Sequence, residues 1–227
     1  MDMEQPTLIL IRPYLNTDRD AVMKIAADTA FFGQPIENFL DDRNAFLDAF
    51  YSYYFDYEGE HAWVASEGVR VLGFIAGCID GKHHDQVVRN EIQPKLIKNL
   101  LHGKYKIRWK TLKFVIRLLG SELFNEEPNA DECVYPAHLH INVSEESRGK
   151  GIGRRLIKAY LSQLSQQGIK GVHLHTTSEN VIACHLYEKC GFQLIGEKQS
   201  HLWKGLVPRT VTNRCYARLT GDGSLPE

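Results

Sequence analysis

A run of glycine and basic residues, Arg148-Gly149-Lys150-Gly151-Ile152-Gly153, could bind an anion. Glycine lets backbone amides approach an anion without interference from a Cβ atom, and the N-terminus of a following helix adds unpaired N–H groups and the positive end of its dipole. The run lacks the GxGxxG order of dinucleotide-binding folds, and Arg154 follows where a P-loop needs Lys and Ser or Thr. The pattern therefore predicts a phosphate or pyrophosphate cradle, with a merely tight turn as the alternative.

Four histidines alternate along two predicted strands, with His138 and His140 on one face of the first strand and His173 and His175 on one face of the second. Each imidazole could deprotonate an ammonium near neutral pH, directly or through water. His138, His140 and His175 are our candidates for a general base, and a hydrogen-bonded structural histidine is the alternative for each. No carboxylate or cysteine at a suitable spacing completes a metal site, so we expect no metal.

Tyr187 could act as a general acid, because a phenol with a reference pKa of about 10 is mostly protonated at neutral pH. Its alternative role is that of an amphipathic core residue on a helix. Cys184 and Cys190 lie on the same predicted helix with no adjacent base, which disfavours a cysteine acyl-enzyme. The five cysteines contain no CxxC pair, so we expect reduced thiols.

Hydrophobic patterning predicts the elements that position these residues. The predicted strands cover residues 7–12, 61–66, 69–79, 135–143, 171–176, 192–195 and 214–219. Predicted helices begin at Thr17, where Asp20 would complete a capping box, and cover much of 36–57, 153–167 and 180–190. Strands that alternate with helices in the middle of the chain imply parallel pairing through right-handed crossovers. We therefore predict an α/β fold: a mixed sheet of about seven strands flanked by helices, with antiparallel hairpins at its start and end.

Residues 80–130 interrupt this pattern and predict a helical insertion between the third and fourth strands. Its many basic residues include Lys95, Lys98, Lys104, Lys106, Arg108, Lys110, Lys113 and Arg117. The insertion could be a solvated amphipathic segment or a basic lid over an anionic substrate or the cofactor. Aromatic residues at mainly helical intervals in 36–57 could pack in the core or form the wall of a substrate pocket.

The composition is that of an ordinary globular protein, with 227 residues, 43% hydrophobic and 24% charged. No Pro, Ser or Gly-rich linker divides the chain, so we expect one domain over residues 1–227. A net charge of −1 argues against a nucleic-acid partner. The N-terminus carries no signal pattern, and the apolar run 71–79 is too short to span a bilayer. These features predict a cytoplasmic protein without a membrane partner.

Two motifs resemble the GNAT superfamily of N-acetyltransferases. The first, [Arg/Gln]-x-x-Gly-x-[Gly/Ala], is present as Arg148, Gly151 and Gly153. The second joins Asn180 to the run 183–192, whose Ala-x-x-x-Tyr-Glu-Lys-x-Gly-Phe pattern contains Tyr187. The resemblance spans 135–219 clearly and 7–79 in element order only. Residues 135–141 and 171–174 are also similar to the acetyltransferase-like domains related to the C-terminal part of O-GlcNAc hydrolases.

The resemblance implies that acetyl-CoA is the cofactor and that no metal is used. Backbone amides around Ile141, Asn142 and Val143 would bind the pantetheine arm where the strand splays from its neighbour. Arg148, Gly149, Lys150, Gly151, Ile152 and Gly153 would hold the pyrophosphate. Asn180 would contact the cofactor or a water beside it, and Tyr187 would lie near the thioester sulfur as general acid.

The same resemblance implies direct acetyl transfer to a primary amine of a small molecule or a protein. A non-catalytic acyl-CoA-binding module, acting as a sensor or scaffold, is the alternative function. The sequence does not identify the acceptor. It also leaves open a homodimer through the C-terminal strands.

Overall fold

The computed structural model describes residues 8–221, and within that range seven strands form one mixed sheet in the order β1-β2-β3-β4-β5-β7-β6. The strands are β1 (Ile9–Pro13), β2 (Ala62–Glu67), β3 (Arg70–Cys78), β4 (Ala137–Val143), β5 (Gly171–Thr177), β6 (Gln193–Ser200) and β7 (Val211–Leu219). All neighbouring pairs are antiparallel except β4 with β5. The predicted α/β class with a mixed sheet of about seven strands is confirmed.

Helices cover both faces of the sheet. The helices α1 (Arg19–Asp28), α2 (Arg43–Phe50) and α3 (Ser52–Asp56) share a hydrophobic core with Phe74 and Ala76 of β3. The helices α7 (Ile152–Gln166) and α8 (Val181–Lys189) pack on the other face with Leu72 and Ile75. Successive side chains of a strand point to opposite faces, so Ile75 lies opposite Phe74 and Ala76. Leu72 joins the core of Ile75 because the pairing of β3 with β2 shifts by one residue beside it. Both faces of the central strands are therefore buried.

The predicted helical insertion between the third and fourth strands is confirmed. It consists of α4 (Gly81–Val87), a π-helical turn (Val88–Ile92), α5 (Gln93–Leu101) and α6 (Trp109–Leu123). Gly103, at a φ of +67°, follows the end of α5 and helps to break the helical pattern before α6. Phe114 and Thr111 are the buried side of α6, and the Asp41 carboxylate accepts a hydrogen bond from the Thr111 amide at 2.9 Å. Among residues 8–221, no helix combines the length and apolar character needed to cross a membrane.

Three predictions about local structure are corrected. The capping box at Thr17 and Asp20 is wrong, because a 3-10 turn (Asn16–Asp18) precedes α1 and the Asp18 carboxylate pairs with Arg12 at 2.7 Å while accepting from the Leu15 amide. Parallel pairing of the middle strands holds only for β4 and β5, because β7 lies between β5 and β6. The sixth strand extends beyond 195 to Ser200, because β7 supplies pairing partners as far as Val211. Thr7, in the first predicted strand, lies outside the described residues.

Candidate functional site

An opening between β4 and β5 divides the middle of the sheet. These strands pair only at Ala137 with Val172 and at His138 with His173. Further along, β4 remains paired with β3 as far as Val143, whereas β5 pairs with β7. Backbone groups of 139–143 that point away from β3 therefore face the opening, where a ligand could bind them. This opening matches the splay that the GNAT resemblance implies.

The glycine loop forms the N-terminus of α7 beside this opening. Gly149 and Gly151 have φ angles of +79° and +72°, in the left-handed region that favours glycine. Gly151 is the N-cap of a helix of 15 residues, so unpaired amides and the positive dipole end lie at the loop. A Cβ atom at Gly149 or Gly151 would meet open space, which shows that the loop faces a cavity rather than packed atoms. The predicted anion cradle therefore has the backbone geometry it needs.

A cavity of about 570 Å³ joins the loop, the opening and α8. Of the predicted cofactor-binding residues, those that line it are Ile141, Asn142, Val143, Arg148, Gly149, Gly151, Ile152, Gly153, Asn180 and Tyr187. Lys150 is exposed and is not among the lining residues. The volume is within the range of small-molecule and cofactor sites. Residues far apart in the sequence thus line one cavity.

Close packing between α7 and α8 explains the third glycine of the motif. A Cβ atom at Gly153 would lie 2.7 Å from Cδ2 of Leu186, which itself lines the cavity. A larger residue at 153 would therefore push Leu186 into the cavity or separate the helices. Glycine is favoured at 153 because a side chain would meet Leu186, and at 151 because the backbone has a positive φ.

The segment after α1 closes one side of the cavity. Thr29, Phe32 and Gly33 line it, and the Arg148 guanidinium donates to the carbonyl oxygen of Gly33 at 2.8 Å. Asn142 donates from Nδ2 to Oγ1 of Thr29 at 2.7 Å. Sequence reasoning missed this wall, because nothing in the residues 29–33 resembles a binding motif. Two hydrogen bonds therefore fix the segment against the glycine loop and β4.

Tyr187 is a buried core residue of α8 that also lines the cavity. Its ring is 94% buried and packs against Tyr216, with ring centroids 5.8 Å apart, while the residue also lines the cavity. Desolvation raises the pKa of Tyr187 above its usual value of 10.0. The phenol is therefore protonated at neutral pH, as a proton donor must be.

His138 and His140 lie on the α1–α3 face of β4, and neither lines the cavity. The Tyr54 hydroxyl lies 2.6 Å from Nε2 of His138 and 3.0 Å from Nε2 of His140. It therefore donates to one ring and accepts from the other. Desolvation lowers the pKa of His138 well below its usual value and that of His140 to about 4. Both imidazoles are neutral at pH 7.

His175 does not line the cavity either, but it is more accessible than the histidines of β4 and has an acidic neighbour. Its Nε2 lies 2.9 Å from the carbonyl oxygen of Pro128, so Nε2 carries the hydrogen and Nδ1 keeps a lone pair. Nδ1 lies 3.9 Å from Oε1 of Glu127. Desolvation raises the pKa of Glu127 to about 7 and lowers that of His175. Glu127 is therefore partly ionised near neutral pH beside a neutral His175.

Sequence reasoning missed Glu127. It lies in the turn after α6, within no recognisable motif, and the fold brings it to the end of β5 and to Asn213 of β7, whose Nδ2 donates to Oε2 at 3.1 Å. His173, by contrast, is buried, with Nδ1 2.9 Å from the Tyr135 carbonyl oxygen, which is a structural role. Of the four histidines, His175 thus has the most suitable surroundings for accepting a proton.

Comparisons with known proteins match the region around the glycine loop to a known family. The model of the Acetyltransferase (GNAT) family matches residues 118–192, which contain the loop, α7 and α8. Streptothricin acetyltransferase of Escherichia coli is 44% identical over 57 residues, which make up 25% of this chain and 33% of that protein. The chain spans about a third of the length of the curated relatives it matches first.

Solved structures extend the similarity to nearly the whole chain. The crystal structure of SsHAT superposes with a TM-score of 0.71 at 28% identity, covering 94% of this chain and 99% of that one. The structure of yncA from Salmonella typhimurium, solved with its cofactor acetyl-CoA, gives a TM-score of 0.57 at 14% identity over 97% and 98% of the two chains. The second likeness is one of fold alone. The resemblance stated from the two motifs is confirmed.

Proposed function

We propose that this chain, which has the GNAT fold and the GNAT family match, binds acetyl-CoA and transfers its acetyl group to a primary amine. The observation that carries the proposal is a single cavity formed by the glycine loop, the opening beside β4, and Tyr187. Relatives that are named acetyltransferases, and a structure with the same fold that contains acetyl-CoA, support it. Residues 8–221 would act as one acetyltransferase domain.

The lining residues fit this cofactor. Amides from Gly149 to Gly153 would hold its pyrophosphate at the N-terminus of α7. Backbone groups of Ile141 to Val143 that face the opening would bind the pantetheine arm, and Asn180 would contact the cofactor where it lines the cavity. When bound, acetyl-CoA supplies the acetyl group as an activated thioester.

Tyr187 would hold a proton at its Oη and donate it to the departing thiolate. Its burial favours this role, because the pKa raised by desolvation keeps the phenol protonated. Its packing against Tyr216 would fix the ring and so the direction of the hydroxyl. A general acid of this kind typically contributes about 10²–10⁴-fold to the rate.

His175 and Glu127 would accept the proton that the acceptor amine loses. Nδ1 of His175 has a lone pair, and Glu127 is partly ionised near neutral pH because desolvation raises its pKa to about 7. His138 and His140 have lowered pKa values and both contact Tyr54, so their proposed role is to position the wall of the acceptor site. The acceptor would be a small molecule or a protein that presents a primary amine to this face of the sheet.

Two measurements on the full chain test the proposal. Calorimetric titration should show saturable binding of acetyl-CoA, and its absence would overturn cofactor binding altogether. A panel of primary amines, including polyamines and peptides with free N-termini, should then contain one that releases CoA in a thiol-detection assay. Saturable binding without CoA release from any of these amines would favour a non-catalytic acyl-CoA-binding module.

A further inference from the structure

The outward face of α6 is apolar. Large hydrophobic residues on it are exposed: Trp109 (64%), Leu112, Val115, Ile116 (59%), Leu119 (59%) and Leu123 (81%). Their spacing of three and four positions places them on one continuous stripe of the helix. The buried Thr111 and Phe114 hold the opposite side of α6 against the rest of the protein. An apolar stripe of this kind marks a surface that binds another body.

Positive charge borders this stripe along one edge. Between Gln93 and Ser121 the chain has eight Lys and Arg residues and no Asp or Glu, and Glu122 is the one acidic residue on α6, although the net charge of the whole chain is −1. Lys110, Lys113 and Arg117 recur at helical spacing along one edge of the stripe, and Nζ of Lys113 lies 5.2 Å from the centre of the Trp109 ring. A binding partner of this surface should therefore offer an apolar region to the stripe and negative charge to the lysines and arginine beside it.

A second copy of this chain does not meet that requirement. A two-fold symmetric interface places the same patch against itself. The basic edge of one copy would then lie against that of the other, and Glu122 is the one carboxylate on α6 that could offset it. A membrane with anionic lipids provides both the hydrocarbon and the negative charge.

We infer that α6 docks this protein on the surface of an anionic membrane. The helix has 15 residues, about 22 Å, and lies in the plane of the interface with its apolar stripe at the boundary between headgroups and acyl chains. Trp109 lies near one end of the stripe and Leu123 near the other, while the lysines reach lipid phosphates. Docking of this kind needs no membrane-spanning segment. The inference departs from the sequence-based prediction of no membrane partner, which rested on the lack of a membrane-spanning run.

Flotation with lipid vesicles tests the inference. The full chain should float with vesicles of phosphatidylcholine and phosphatidylserine, float poorly with phosphatidylcholine alone, and dissociate as salt is raised. Replacing exposed apolar residues by Ile116→Glu and Leu119→Glu should abolish flotation. Neutralising Lys113→Gln or Arg117→Gln should weaken vesicle binding by about five-fold each.

Matched controls separate docking from general effects of charge and polarity. Val69→Glu changes a fully exposed apolar residue in the hairpin between β2 and β3, and Lys158→Gln removes an exposed charge from α7. Both should float like the wild type, and all variants should keep the wild-type thermal midpoint and acetyl-CoA binding.

Three results would overturn the inference. One is equal flotation with neutral and anionic vesicles, or none with either. Another is a concentration-dependent dimer in sedimentation that Ile116→Glu abolishes, because a second copy would then cover the stripe. The third is salt-sensitive retention on an acidic polypeptide without vesicle binding, which would assign the surface to a protein partner.

Discussion

The guanidinium of Arg148 donates to the carbonyl oxygen of Gly33 at 2.8 Å, which joins the glycine loop to the segment after α1. Gly33 has a φ of +85°, and a Cβ atom there would lie 3.2 Å from the guanidinium nitrogens. The same segment reaches β4 through Thr29 and Asn142. The predicted pyrophosphate-binding residue thus also holds one wall of the cavity in place.

Arg148→Ala should therefore loosen residues 29–33 as well as weaken acetyl-CoA binding. The lost hydrogen bond involves a charged donor, and such bonds contribute about 1.5–3 kcal/mol. Hydrogen exchange should show faster exchange of amides in 29–33 without cofactor present. Arg155→Ala is the control, because Arg155, in the first turn of α7, donates to a carbonyl oxygen at the same 2.8 Å but contacts Ile9 of β1 instead of residues 29–33. Unchanged exchange in Arg148→Ala would remove Arg148 from the positioning of that wall.

Gly151→Ala should weaken acetyl-CoA binding by a conformational effect. An L-residue at a φ of +72° costs about 1–2 kcal/mol, which the loop can relieve only by moving its amides. Gly68→Ala is the matched control, because Gly68 has a φ of +58° in the remote β2–β3 hairpin and also faces open space. Both variants should lower the free energy of unfolding in urea, and only Gly151→Ala should raise the calorimetric Kd for acetyl-CoA. Equal Kd values in the two variants would argue against the loop as the cradle.

Tyr187→Phe should reduce kcat by about 10²-fold or more, as expected for loss of a general acid, with little change in the Kd for acetyl-CoA. The control is Tyr216→Phe, because Tyr216 packs against Tyr187 but donates its hydroxyl to Glu188 at 3.0 Å. Steady-state rates with the best amine of the panel make the comparison. Normal turnover of Tyr187→Phe would leave that residue with a packing role only.

Much of the part of the cavity proposed to bind acetyl-CoA could be predicted from the sequence, because the sequence patterns that indicate it are local. Glycine spacing predicted the loop at 148–153, and the apolar stripe of Leu156, Ile157 and Leu164 predicted α7 to within one residue at each end. Alternation along β4 correctly placed His138 and His140 on one face. These features depend on neighbours within a few positions in the chain.

The arrangement of the residues proposed to surround the acceptor amine could not be predicted, because it depends on contacts between distant segments. Tyr54 meets His138 and His140 across more than 80 positions, and Glu127 reaches His175 only because the turn after α6 returns to β5. The failure at Thr17 has a similar cause: the Asp18 carboxylate pairs with Arg12 of β1, and this ion pair displaces the helix start that local capping rules favour. Tertiary contacts override local preference at such positions.

The proposed base predicts how activity depends on pH. Glu127 must be ionised to assist His175, and its pKa is raised to about 7, so kcat/KM for the amine should increase as pH rises through that value. Glu127→Gln should lower kcat/KM and remove this step from the profile. The acceptor's own ionisation also affects the profile, so wild type and variant are compared with the same amine. If the pH profiles of wild type and variant had the same shape and differed only by a constant factor, Glu127 would not be the group that titrates.

The lowered pKa of His140 predicts that the folded protein becomes less stable as pH falls, whereas the raised pKa of Glu127 predicts that it becomes less stable as pH rises. The folded pKa of His140 is about 4, below the unfolded value of about 6.5, so protons bind the unfolded chain preferentially as pH falls through that window. The free energy of unfolding should thus decrease between about pH 7 and pH 4.5, by roughly 2 kcal/mol from this residue. The raised pKa of Glu127 has the opposite effect, because it makes the folded protein less stable as pH rises. Differences between variants are therefore needed to isolate the contribution of His140.

Urea denaturation at several pH values checks the prediction for His140. His140→Gln should lose less stability than the wild type on acidification, because the variant no longer has a desolvated imidazole to keep neutral beside Tyr54. The control is His83→Gln on the exposed surface of α4, which should follow the wild-type curve. If His140→Gln and the wild type lost stability in parallel, His140 would have to be accessible to protons in the folded state. His140 would then be a stronger candidate than His175 for the base that receives the proton of the amine.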